Sequence, residues 1–327
     1  MSASGKIIEI KDLWVKYFTG GQEVSAVNGI SFSMLAGKTL GIVGETGAGK
    51  TTTALSIMQL LPKITGKITS GEILFNGKDI VKAQEAEMRV IRGAMISMIF
   101  QDPMTSLNPV LTVGDQIGEA IKLHMKLDSA GIEARVDEIL ELVGIPAVRK
   151  SEYPHQFSGG MRQRVVIAIA LACDPMLLLA DEPTTALDVT IQSQILDMMD
   201  DLKKKLNTAI ILITHDLGVV AEFCDSVAIM YAGEIVEIGE ALDIYESKSN
   251  HPYTVGLFNS IPNLEHDTTR LSPIDGLMPD PTNLPPGCKF HPRCPQCMEI
   301  CKTAIPVNHE NRGHIIKCHL FNKWSNG

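Results

Sequence analysis

Residues 44–51 read GETGAGKT, set between the apolar run TLGIV and the helix-forming run TTALSIMQLL. The chain must therefore leave a buried strand, turn through a glycine-rich loop and open a helix. Gly47 and Gly49 let the backbone bend until its N–H groups face an anion, and the helix start adds partial positive charge. In that frame Lys50 reaches the β- and γ-phosphates of a nucleoside triphosphate and the Thr51 hydroxyl takes Mg²⁺. Gly44, Glu45, Thr46, Ala48 and Thr52 complete the cradle. Such a loop binds ATP or GTP.

A second run, MLLLADEP at residues 176–183, brings Asp181 to the C-terminal end of an apolar strand, the edge where α/β sheets hold ligands. Asp181 reads as a Mg²⁺ holder acting through water, and Glu182 as the group that polarises the attacking water. Strand-like and helix-like stretches alternate along most of the chain. Short β segments run to about Ser33, and AMISMIFQ and AIILIT read as further strands. Helical spacing marks VGDQIGEAIKLHM, ARVDEILELVGI and IQSQILDMMDDLKKKL, and SVAIMYAGEIVEIGE reads as a hairpin. The expected fold class is α/β: a mainly parallel sheet covered by helices, with a β layer at the front.

The chain has 327 residues, 45% hydrophobic and 20% charged, enough for a sizeable core and about two domains. Its net charge of −9 argues against nucleic acid as the main partner, because phosphate neutralisation needs surplus Lys and Arg. The most apolar stretch, residues 165–180, is broken by Asp174-Pro175 and falls short of the ~18 residues of a membrane span. A soluble, cytoplasmic protein is expected.

The string FSGGMRQR, residues 157–164, ends 17 residues before Asp181. Ser158, Gly159 and Gly160 open a helix whose N–H groups and hydroxyl suit an anion, although a merely capped helix looks the same. Taken together, the motifs resemble the ATP-binding-cassette (ABC) family across residues 7–240. They stand in family order: the P-loop, a Q-loop glutamine at Gln101, the signature at 157–161, Asp181-Glu182, a D-loop ALD at 186–188 and a switch histidine at His215. The signature departs from its commonest form, with Phe157 for Leu and Met161 for Gln. Gln163, two residues on, is the candidate for the missing polar contact.

The resemblance implies a P-loop ABC-type nucleotide-binding domain with a RecA-like core, an antiparallel β layer and a helical subdomain at about 102–170. It also implies a head-to-tail ATPase dimer in which ATP lies between one P-loop and the other subunit's Ser158, Gly159 and Gly160. Tyr17 would stack on adenine, with Phe18 as rival; either also serves as an ordinary sheet aromatic. Glu182, His215 and Gln101 form the implied catalytic set, and Thr51, Gln101 and Asp181 the implied Mg²⁺ set.

Two further strings are narrower. FQDPMTSLNPVLTVGDQI (residues 100–117) and HPYTVGLFNSIP (residues 251–262) resemble the ATPase subunits of dipeptide and oligopeptide importers, including related nickel importers. That resemblance implies a second ATPase subunit, two membrane permease subunits docked on residues 101–150, and indirectly an extracytoplasmic peptide-binding protein. It places the chain peripherally at the cytoplasmic face of the membrane. The expected function is ATP hydrolysis that energises peptide import. Nickel import is the alternative, followed by a non-transport cassette ATPase, which the missing coiled coil and missing second cassette disfavour.

After residue 240 the texture changes to Pro, Asn and Asp without period, so the expected division is an ATPase domain at 1–240 and an irregular Cys-rich extension at 241–327. Five of the seven cysteines lie between Cys288 and Cys318 with the spacing C-x5-C-x2-C-x3-C-x16-C. In a reducing cytosol such a cluster points to metal before disulfides, and four thiolates suit zinc or an iron–sulfur cluster alike. The importers' tails resemble GCxFHPRCPxxxxxC…GHxxxCH, which matches Cys288, Cys294, Cys301 and Cys318. That likeness implies a 4Fe-4S cluster, with zinc as the alternative and Cys297 as a spare thiol.

Overall fold

The computed structural model describes residues 5–102, 106–185, 187–247, 249–260 and 274–322. Its strands are β1 (Lys6–Thr19), β2 (Gln22–Leu35), β3 (Thr39–Val43), β4 (Gly66–Phe75), β5 (Lys78–Asp79), β6 (Ile96–Ile99), β7 (Leu177–Asp181), β8 (Ala209–Thr214), β9 (Ser226–Tyr231), β10 (Glu234–Glu240), β11 (Asn308–Asn311) and β12 (His314–Lys317). The helices are α1 (Lys50–Ile57), α2 (Glu85–Ile91), α3 (Val113–His124), α4 (Ser129–Leu142), α5 (Gly159–Leu171), α6 (Val189–Leu206), α7 (Leu217–Phe223), α8 (Ala241–Glu246) and α9 (Pro252–Asn259). The chain divides into two units, one of Met1–Glu9, Ser33–Thr39 and Leu74–Ile213, the other of Ile10–Phe32, Leu40–Ile73 and Thr214–Gly327.

In the first unit, unbroken apolar runs make strands buried on both faces, as a parallel sheet requires. β7 and β8 are buried along their whole length. β6 pairs with β7 from Ile96↔Leu177 to Ile99↔Ala180, and β7 with β8 from Leu177↔Ala209 to Asp181↔Ile213, all parallel. All three strands therefore end on one edge, where Gln101 and Glu182 follow. The helices start where a small polar residue can take an orphan N–H: Thr112 accepts from Asp115, Asp128 from Gly131, Ser158 from Met161 and Asp188 from Ile191. Each such cap is worth about 1 kcal/mol. α6 stops at Asn207, which adopts the left-handed conformation, with Lys203, Lys204 and Lys205 facing the negative helix end. Arg135 on α4 donates to Ala172 O at 3.1 Å and Asp174 Oδ1 at 2.5 Å, tying α4 to the turn after α5.

The second unit holds β2, β1 and β4 in that order, with β1 and β2 joined through Gly20-Gly21. β1 changes its buried parity, from Ile8 and Ile10 to Leu13 and Val15, at Asp12, whose φ of 45° marks a bulge-like kink. β3 pairs parallel with β9, which returns as the antiparallel β10 through Ala232 and Gly233, both at positive φ. The front strands run 14 residues each, longer than the short segments the sequence suggests.

The extension is also more regular than its composition implies. β12 pairs with β10 at Glu237↔Ile316 and with β11 through a turn at Arg312-Gly313. NHEN and HIIK are too short and too polar to show a period, so the pairing is decided by a distant partner strand. Glu237, fully buried, holds this corner: Oε1 contacts His314 Nε2 at 2.7 Å and Oε2 accepts from His251 N at 3.0 Å. His251 caps α9 by accepting from Tyr253 N, and burial lowers its pKa to about 3, so the ring stays neutral. Among the described residues no helix is long and apolar enough to cross a membrane.

Candidate active site

In the second unit the buried β3 delivers Gly44 to a place where no side chain fits: a Cβ there would lie 2.2 Å from Met230 O. Gly49, at φ 102°, would set a Cβ 2.4 Å from Ala26 O. Close backbone approach requires both glycines, and at Gly49 the positive φ requires one by conformation as well. The loop leads directly into α1, whose first turn has no acidic residue. Lys50 is 7% exposed and folds back over the loop, donating to Gly44 O at 2.6 Å and Glu45 O at 3.1 Å. Thr46 and Thr51 are exposed, Ala48 is buried, and Ala48 O accepts from Gly233 N at 3.0 Å, which holds the loop on the β9–β10 hairpin. Tyr17 OH lies 3.3 Å from Thr52 Oγ1, beside α1, whereas Phe18 is exposed beneath Lys67. His215 is exposed just after β8, in a turn pinned by Asp216 N donating to Thr214 Oγ1 and by Asp216 capping α7.

In the first unit Asp181 is 3% exposed at the end of β7. Glu182 follows in the left-handed region at φ 48°, a strained setting for a non-glycine residue. Its backbone N donates to Ile213 O at 2.8 Å, which locks it in that conformation. Glu182 Oε2 accepts from Gln101 Nε2 at 2.9 Å and from Thr185 Oγ1 at 3.0 Å. Two of the residues read as catalytic therefore meet on one edge of the parallel strands. Thr185 was not singled out by motif, although it lies three residues past Glu182 in the same turn.

The signature string starts α5. Ser158 and Gly159 are exposed, while a Cβ on Gly160 would come 2.7 Å from Ile191 Cγ2, so any side chain there would have to displace Ile191 on α6. The two departures from the commonest signature share one cause. Phe157 is 3% exposed with Arg149 Cζ 4.4 Å from its ring centroid, and Arg149 Nη1 lies 3.4 Å from Met161 Sδ. Gln163 is 1% exposed and neither amide atom has a hydrogen-bond partner, so its burial keeps it from supplying the polar contact missing at Met161. Ala186 of the D-loop string, residues 103–105 after the Q-loop and residues 261–273 lie outside the described residues.

The tail cysteines are brought near one another without forming a complete ligand set. Among the described residues no three His, Cys, Asp or Glu side chains gather as ligands for a metal ion. Burial pushes the Cys288 thiol up to about 11 and the Cys318 thiol up to about 12. Cys288, Cys294 and Cys301 add to the rise at Cys318, so the four sulfurs are electrostatic neighbours. Cys297 is exposed. Sequence reading also missed the contacts that this tail makes to Glu45, through Tyr253 and Arg293.

Comparison with known proteins shows the family. The ABC transporter family model matches residues 27–185, and the model of the oligopeptide/dipeptide transporter C-terminal region matches residues 236–301. The chain is 52% identical over 318 residues to the dipeptide transport ATP-binding protein DppD of Bacillus subtilis, covering 96% of this chain and 95% of that one. It is 48% identical over 314 residues to the oligopeptide transport ATP-binding protein OppD of Salmonella typhimurium, covering 95% and 93%. Among solved structures, the dimeric post-hydrolysis state of the ATP-binding cassette MJ0796 bound to ADP and Pi superposes with a TM-score of 0.64 at 26% identity, covering 72% of this chain and 98% of that one. The chain belongs to the ABC transporter ATPases, in the branch marked by the oligopeptide/dipeptide transporter C-terminal region.

Proposed function

We propose that this chain is the ATP-hydrolysing subunit that energises import of dipeptides or oligopeptides. The observation that carries the reading is the likeness to a dipeptide transport ATP-binding protein over 96% of the chain, extension included. ATP would lie on loop 44–51, with Lys50 on the phosphates and Tyr17 beside the base. Thr51, Gln101 and Asp181 would serve Mg²⁺, and Glu182, oriented by Gln101 and Thr185, would take the proton of the attacking water. His215 would contact the γ-phosphate.

Ser158, Gly159 and Gly160 would close head to tail over the nucleotide of a second ATPase subunit; the dimeric form of the related cassette supports pairing as such. Two permease subunits would receive the stroke at the cytoplasmic face of the membrane. A groove of about 610 Å³ lined by Gly114, Gly118, Ile132 and Val136 on α3 and α4 supports docking on the helical subdomain. Residues 1–240 would form the cassette and 241–327 the extension. Disrupting the gene is expected to abolish uptake of labelled di- or oligopeptide while sparing nickel uptake. Loss of nickel uptake with peptide uptake intact would reverse the assignment.

For the tail we propose a 4Fe-4S cluster on Cys288, Cys294, Cys301 and Cys318. Cys288, Cys294 and Cys301 all act electrostatically on Cys318, which supports four thiols near enough to serve one group, and a cluster held by four cysteines would use them all. The cluster would supply cross-links to a segment too short for its own core. Protein purified without oxygen is expected to be brown, absorbing near ~400 nm where thiolate-to-iron charge transfer falls. A colourless preparation with about one zinc per chain would sink the cluster in favour of zinc.

A further inference from the structure

Glu45 is the first variable position of the phosphate loop, and it carries a negative charge into a site built for anions. Its surroundings answer that charge from the far end of the chain. The Glu45 backbone N donates to Tyr253 OH at 3.0 Å. Its carboxylate accepts a two-armed bond from Arg293, Nη1 to Oε2 at 2.6 Å and Nη2 to Oε1 at 3.0 Å, the geometry that best fixes a carboxylate.

Arg293 is itself immobilised. Its side chain is 5% exposed, and its other donors go to Asp275 O at 2.9 Å, Ile274 O at 3.3 Å and Tyr231 OH at 3.5 Å. Tyr231, Tyr253 and Phe290 pack edge to face or tilted, with centroids 4.7 to 5.4 Å apart, and form the bed beneath it. Meanwhile Lys50 holds the Glu45 carbonyl at 3.1 Å, so the two cations restrain this one residue from both ends.

The geometry points to Arg293 as a positioning residue for the phosphate loop: it neutralises Glu45 and holds the carboxylate off the bound triphosphate, so the Cys-rich extension sets the loop's affinity for ATP. This rests on reading loop 44–51 as the ATP site. It gives the extension a task at the nucleotide beyond holding itself together, because Arg293 is followed directly by Cys294.

The test is a double-substitution cycle on the full-length chain, read as Mg·ATP affinity by titration calorimetry. Arg293→Ala is expected to weaken ATP binding about tenfold when residue 45 is Glu, the order produced by one uncompensated charge near phosphates. In a Glu45→Gln background the same change is expected to cost less than twofold. If Arg293→Ala does not fold, Arg293→Met keeps the stem and removes only the charged fork, and the cycle is read on that variant. Equal weakening in both backgrounds, or none in either, would overturn the proposal. Absence of ATP binding by the parent chain would instead overturn the reading of the loop, and the proposal with it.

Discussion

Glu182→Gln is expected to leave ATP binding within about twofold of the parent and to slow hydrolysis at least 10²-fold, the low end of what a general base contributes. The structure makes this a clean substitution. Glu182 is held at φ 48° by its backbone bond to Ile213 O, and Oε2 accepts from both Gln101 and Thr185. A glutamine can turn its carbonyl oxygen into that same place and keep both bonds, so shape and network survive. What disappears is the capacity to accept a proton from water. The measurement is ATP turnover by the complete transporter alongside nucleotide affinity. Parent-like turnover would remove Glu182 from the chemistry.

A comparable loss is expected for Lys50→Met, here with binding lost as well. The ammonium is nearly buried and spans the loop from Gly44 O to Glu45 O, so it is already aimed along the cradle before any phosphate arrives. Methionine keeps most of the packing of the stem but removes the one positive charge in the sequence of the P-loop. Electrostatic stabilisation of a transferring phosphoryl group is commonly worth 10²–10³ in rate, and a drop of at least that size in turnover is expected, with ATP affinity falling by about tenfold or more. Single-turnover assays at saturating ATP separate the two effects. Retention of both affinity and rate would show that the loop holds phosphate through its backbone alone.

Much of the fold could be read from local pattern. The strand before the glycine-rich loop and the helix after it occur as β3 and α1, because an apolar five-residue run and a glycine turn leave the backbone few options. The meeting of Gln101 with Glu182 was half legible: each follows an apolar strand, but only the parallel pairing of β6 with β7 puts the two ends side by side. Thr185 carried no signal. Gly160 was read for the nucleotide, and Ile191 supplies a packing reason for it that no spacing rule contains.

The chemistry of this protein, a phosphate loop and a strand-end carboxylate in ABC order, was determined by the sequence alone, since both devices are built from contiguous residues whose backbone conformation is local. The tertiary structure decided the rest: the β12 strand laid on β10, the buried Glu237–His314 contact, and the reach of Arg293 across 248 positions to Glu45. Those arrangements depend on which distant groups can be desolvated together, and that is a property of the packed chain rather than of any window along it.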